Sequence, residues 1–359
     1  MNKPKKCSPK YIKIGISISI FMLFALNIRA QETTASFLYW QPSSRSYSMG
    51  GIGATFHDNV FSTYYNPAGL AFSDRLTVSG SFVKPFPFFG GIVNSFFGVS
   101  YNFDEFNSFA ISGDLFWMGK QVRTFEFSPD PLGIENAPFH WLIKFSYSRL
   151  INRNFSAGIS LGILNVNLTD RASGVEQKIG TETTLLFDGG ILLVDLFPEL
   201  SIINNSQNEQ NSEVLQWLID NGKGYYNSGF SFGISVSNIG PEMSFVDDKQ
   251  ADLSPTKLLL GFSYNMVTTN QIGVLIGTDY EKRLNESNNS DYLHFGGELK
   301  FYKVFNFRIG YFMSAFNEGL SYFTYGGGIS LKYISFNFAR YNRSIEYTWH
   351  FDTVITLEF

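Results

Sequence analysis

From Arg75 onward the chain alternates. Leu76, Val78, Gly80 and Phe82 fall on one face, with Thr77, Ser79, Ser81 and Val83 on the other. Phe97, Val99, Tyr101 and Phe103 alternate with Gly98, Ser100 and Asn102, and Phe109, Ile111, Leu115 and Trp117 stand opposite Ser112 and Asp114. The same period returns at Trp141, Ile143, Phe145 and Tyr147, at Phe155, Ala157, Ile159 and Leu161, and in further segments to the end of the chain. A period of two specifies extended strands. Large apolar residues opposite small or polar ones are what a strand carries between lipid and a polar lumen.

Composition narrows the choice. Charged residues make up 16% and aromatics 17% of 359 residues, against a charged fraction of about 25% in soluble domains. After residue 30 no run of about 18 apolar residues offers a spanning helix; the run 185–196 is broken by Asp188, Gly189, Gly190 and Asp195. A membrane-spanning form of this chain must therefore be a closed barrel, because an open sheet would leave backbone groups unpaired in lipid.

The first 30 residues read as an export signal. Lys3, Lys5, Lys6, Lys10 and Lys13 precede an apolar run over 14–26, and Ala30 offers a small residue for cleavage. The run is too short for a spanning helix. Cleavage there removes Cys7, the only cysteine, and lowers Lys plus Arg from 27 to 21 against 31 acidic residues, a net charge of −10. No disulfide, thiolate nucleophile or cysteine metal site is expected in the mature chain, and an acidic protein is a poor partner for nucleic acid.

Residues 31–73 lack this alternation. Gly50, Gly51 and Gly53 permit positive φ and close backbone approach, and Asn66-Pro67 before Gly69 favours a turn. This stretch is expected to be ordered without being a strand, placed where a barrel needs its plug. The rest, 74–359, holds about 14 strands once the polar insertion 198–228 is set aside, at roughly 10 residues per tilted strand. Within that insertion Ser212 is a candidate cap and Gly222 a candidate stop for one short helix, with Val214, Leu215, Trp217 and Leu218 near or on its apolar stripe. It reads either as a surface loop or as a partner-binding or lid element.

Three places resemble a known family. Arg45, Met49, Gly50, Gly51 and Gly53, then Asp58-Asn59, then Asn66-Pro67-Ala68-Gly69, lie just before the first strand of a long all-β chain. This resembles the N-terminal hatch of outer-membrane barrels related to the long-chain fatty-acid transporter FadL, and within them the PorV/PorQ family of Bacteroidetes-type bacteria. The strand ending Asn238-Ile239-Gly240-Pro241 and the closing strand agree. The resemblance implies a 14-strand outer-membrane barrel with its hatch in the lumen. Phe351, Ile355, Leu357 and the terminal Phe359 share one face of the last strand, which resembles the signal read by the barrel assembly machinery.

Chemistry finds little footing. Nucleophilic catalysis needs a base beside its nucleophile, and the four histidines are scattered, at 57, 140, 294 and 350. Asp247, Asp248 and Asp252 lack the alternation of a calcium loop, and the glycines at 50–53 lack the Gly-Lys-Ser/Thr of a phosphate loop. No enzyme, cofactor or metal is expected. The PorV/PorQ resemblance implies a role in type nine protein secretion, with secreted cargo carrying C-terminal signal domains, and other secretion components, as partners beside outer-membrane lipid. The alternative is FadL-like passive transport of hydrophobic small molecules, with Phe37, Trp40, Phe56, Phe61 and Tyr64 either lining an apolar ligand pocket or serving as hatch packing. Charges on strands, including Asp114, Lys144, Asp279, Glu298, Lys300, Asp352 and Glu358, are expected to point inward or sit near headgroups.

Overall fold

The computed structural model describes residues 33–57, 59–88, 91–122, 135–168, 180–197, 203–204, 229–245, 251–268, 271–286, 291–315, 320–343 and 346–357. The expected signal peptide, Asp58, the stretch 205–228 with Val214, Leu215, Trp217 and Leu218, and the terminal Glu358 and Phe359 lie outside the described residues.

Fourteen strands form the barrel: β1 Leu76–Val83, β2 Ile92–Asn102, β3 Asn107–Met118, β4 Phe139–Asn152, β5 Phe155–Asn167, β6 Thr181–Leu196, β7 Gly229–Ile239, β8 Lys257–Thr268, β9 Ile272–Arg283, β10 Asp291–Phe301, β11 Phe305–Ser314, β12 Tyr322–Ser330, β13 Ile334–Arg343 and β14 Glu346–Leu357. Each pairs antiparallel with its chain neighbours, and β1 pairs with β14, Val78 opposite Ile355, which closes the sheet. Closure leaves no strand edge unpaired in lipid.

The alternation read from sequence is the barrel's inside and outside. Phe97, Val99, Tyr101, Phe109, Ile111, Trp117, Phe145, Ile159, Phe307, Ile309, Phe323 and Phe351 are exposed, whereas Thr77, Ser100, Ser112, Lys144, Ser160, Glu298 and Asp352 are buried. Water is a poor solvent for such an exterior and lipid a good one. A charge placed on this face, as in Phe145→Arg, is expected to cost about 2–4 kcal/mol near mid-membrane. Loss of heat-modifiable, folded barrel from the membrane fraction would report it.

The registers sort the connections by end. The turns 103–106, 153–154, 302–304 and 331–333, and the last residues of β14, lie at one end. In outer-membrane barrels short turns face the periplasm and long loops the outside. The connection 197–228 is the exception, because Leu196 is opposite Phe230 and Gly229 opposite Asn265, at the short-turn end. Described residues Ile203–Asn204 pair there in parallel with Val267 and Thr268.

Residues 33–57 and 59–73 lie within the lumen. Thr33 bridges to Leu253 and Thr33 Oγ1 reaches Glu286, both at the long-loop end. The segment then passes through a 3-10 turn, Ser36–Tyr39, helix α1, Ser44–Ser48, helix α2, Ser62–Tyr65, and a second 3-10 turn, Pro67–Phe72. Ser43 caps α1 by accepting from Ser46 N, and Asn66 Oδ1 accepts from Ala68 N at 3.1 Å to start the second 3-10 turn. Pro67 sits at the first position, where its missing N–H is no loss. The side chain of Asn102 donates to Ser73 O where the segment meets β1.

Candidate functional site: the interface between hatch and wall

On one half of the barrel the hatch is held by charge. Glu298 on β10 accepts from Arg45 at both nitrogens, Nη2 at 2.8 Å and Nε at 3.2 Å. The same carboxylate accepts from Arg308 Nε on β11 at 2.7 Å. Arg308 Nη1 donates to Asn337 Oδ1 on β13 at 2.9 Å, Asn337 Nδ2 donates to Asp352 Oδ1 on β14 at 2.8 Å, and Asp352 Oδ2 accepts the Ser44 N–H at 2.5 Å. The network is a ring. It leaves the hatch at residue 45, crosses the wall and returns at residue 44.

Neighbouring strands add single anchors. Asp279 Oδ2 on β9 accepts from the backbone N–H groups of Gly53 and Ala54 at 2.7 and 2.8 Å. Thr324 on β12 accepts from Gly50 N and donates to Ser48 O. His294 Nδ1 lies 2.6 Å from Gly50 O. Of the charges expected to face inward, Asp279, Glu298 and Asp352 hold the hatch. Lys144 instead pairs with Asp188 at 2.6 Å and with Asn238 at 3.1 Å across the wall, Asp114 is buried, and Lys300 Nζ lies 3.7 Å from Glu298.

The opposite half is held by neutral groups. Asn66 Nδ2 donates to Ala54 O and to Ile191 O, both at 2.9 Å, which ties two parts of the hatch to the backbone of β6. Ser148 and Ser156 donate to Ala68 O, and Ser235 to Tyr65 O. Neutral bonds contribute about 0.5–1.5 kcal/mol each and bonds to charged groups about 1.5–3. The half carrying Asn66-Pro67-Ala68 is therefore the weaker seam.

Close approach makes these bonds possible. A Cβ on Gly310 would overlap Gly50 N and Met49 C, while Gly50 itself holds a φ of +74°. Glycine inside a strand marks such an approach. Gly158, Gly190, Gly233 and Gly296 face the hatch in the same way. Their positions on strands are visible in the sequence, but their partner is not.

The motif residues thus lie on this interface: Arg45 in the ring, Met49 over Gly296 and Gly310, Gly50, Gly53, Asn66 and Ala68 in wall bonds, and Pro67 against Gly158. Gly51 packs on His294 and Gln41, and Gly69 on Phe56 and Ser62 within the hatch. Asn59 Oδ1 accepts from Phe61 N, a local turn. The five aromatics of the candidate ligand pocket do not share one. Phe37 and Trp40 pack with Phe116, Phe61 and Tyr64 belong to a second cluster with Phe96, and Phe56 joins Met49 and Ile52 beneath the Arg45 guanidinium. They are separated because the hatch folds back on itself between residues 40 and 61.

The first cluster is one of several apolar patches in the lumen. Phe37 stacks on Phe116 with ring centroids 5.3 Å apart and lies 5.6 Å from His140, and Trp40 meets Phe116 edge-on at 4.9 Å. Inward positions of β4 to β6, Leu142, Leu164 and Leu186, complete it with Met243 and Phe245. Among the described residues no group of three or more His, Cys, Asp or Glu is placed to hold a metal ion.

No protein-family model and no curated protein sequence matches the chain. Solved structures do. The CymD monoaromatic hydrocarbon channel aligns over 89% of this chain and 98% of its own at 12% identity, with a TM-score of 0.53. The Pseudomonas putida toluene transporter TodX aligns over 88% and 99% at 11% identity, with a TM-score of 0.50. A Pseudomonas aeruginosa FadL homologue aligns over 92% and 100% at 9% identity and a TM-score of 0.48. At such identities the likeness is one of fold: a barrel of the kind seen in the CymD and TodX channels.

Proposed function

We propose that this chain is an outer-membrane channel for small hydrophobic molecules, plugged at rest by its hatch. The observation that carries the reading is the apolar lumen patch around Phe116. A pore for polar solutes has no use for inward Leu142, Leu164 and Leu186, whereas an apolar solute needs such a surface to leave water. Phe37, stacked on Phe116, occupies it as an aromatic solute would. The fold neighbours named for monoaromatic hydrocarbons and toluene support the same solute class. In this reading the export signal is cleaved after Ala30, and the barrel assembly machinery reads Phe351, Ile355, Leu357 and Phe359.

The test is uptake of radiolabelled toluene by a host lacking its own hydrophobic channels. Wild type is expected to accelerate uptake, and Phe116→Asn, which places an amide in the stack, to slow it about tenfold at equal barrel abundance. Uptake no faster than in the empty host sinks the reading.

A second reading, protein handling in type nine secretion, is supported by the PorV/PorQ resemblance. The departure of the 197–228 connection from the short-turn end, where periplasmic partners would meet it, favours it too. Gene deletion separates the two. Loss from the cell surface of proteins carrying C-terminal signal domains, with their build-up in the periplasm, speaks for secretion.

A further inference from the structure

The outer wall of the barrel is not uniform. Across β4 to β7 the pairings align two outward rows. One holds Tyr147, Ile159, Gly189 and Val236; the other, nearer the short-turn end, holds Arg149, Ala157, Ile191 and Ile234. Gly189 and Ala157 are the small members. Around them lies a groove of about 490 Å³. A Cβ on Gly189 would meet no atom within 4 Å, so the depression is open to the outside. It is not a hole, because the adjacent Gly190 packs on Asn66 Oδ1 of the hatch.

One charge borders this apolar groove. Arg149 is exposed on the lipid-facing side, close to the turn at 153–154. A long cation near a strand end extends its guanidinium to the headgroup level while its stem covers apolar surface. In the 103–106 turn the Asp104 carboxyl is held below the ordinary range chiefly by the Asn107 side chain and by the Phe106 N–H, with Arg149 a lesser cause. Asp104 already accepts from Phe106 N, Asn107 N and Asn107 Nδ2. Five donors in a planar fork leave Arg149 capacity for a phosphate.

We propose that this groove seats one glycerophospholipid of the inner leaflet, an acyl chain over Gly189 and Ala157 and the phosphate on Arg149. The chemistry decides between occupants: the cleft is apolar along its length and cationic at the end that meets the headgroups. The inference takes the outer-membrane setting from the function proposed above but not its solute, and its test does not involve uptake.

The purified protein, exchanged into a mixture of phosphatidylglycerol and diacylglycerol with identical acyl chains, is examined by native mass spectrometry. Wild type is expected to retain one phosphatidylglycerol, favoured about tenfold over diacylglycerol, the discrimination a charge-assisted bond confers. Gly189→Phe, which fills the groove, should lose the bound lipid, and Arg149→Gln should keep lipid but lose the preference. Heat-modifiable migration checks that each variant is folded; if Gly189→Phe is not, Ala157→Leu takes its place. Equal retention of both lipids by wild type, or unchanged retention when the groove is filled, overturns the proposal.

Discussion

Glu298→Ala is expected to unlock the hatch while leaving the barrel standing. The carboxylate is fully buried and holds Arg45 of the hatch and Arg308 of the wall together. Removing it leaves two guanidinium groups facing each other, one of them 3% exposed, and breaking a buried pair in this way costs about 3–5 kcal/mol. The strand ladder is untouched, since the Glu298 backbone still pairs with Arg308 and Leu275. The variant should migrate as a folded barrel at low temperature but conduct ions in planar bilayers where wild type is closed. Arg45→Ala added to it should restore part of the loss by removing one unpaired cation. A variant as tightly closed as wild type would show that the ring does not hold the plug.

The second large effect is steric. Gly310→Val places a branched side chain where Gly50 N and Met49 C already lie. Overpacking of this kind costs about 1–3 kcal/mol, and here the hatch is the part free to move. Sensitivity of cells to bulky polar antibiotics should rise. Gly189→Val is the control, since it adds volume to the same barrel from outside and should leave the seal intact. If the two behave alike, close packing of hatch on wall is not what closes the lumen.

How far the sequence foretells this depends on the range of the contact. Strands such as β3, whose Phe109, Ile111, Leu115 and Trp117 alternate with Ser112 and Asp114 and which spans Asn107–Met118, are legible because a two-residue period is local. The lumen side of Asp279, Glu298 and Asp352 follows from the same period. Their task does not. Glu298 meets Arg45 across 253 residues and Asp352 meets Ser44 across 308, and such pairings depend on the register of every strand between. The aromatic residues of the hatch mislead for the same reason: Phe37 and Phe61 look alike in sequence, and only the fold of the hatch sends one to Phe116 and the other to Phe96. The end from which residues 197–228 depart is fixed by the registers of β6 and β7, which alternation alone does not set.

The ring from Arg45 to Ser44 also bears on assembly. The hatch precedes every barrel strand in the chain, yet its charged partners lie on β9 to β14, with Asp352 on the last of them. Contacts this distant in sequence form late, after the intervening loops have been closed. The plug is therefore made first and seated last, and the ring from Arg45 to Ser44 is complete only once β14 is in place. Barrel closure and seating of the hatch become one event: a barrel that fails to close cannot complete the ring, and its hatch stays unseated.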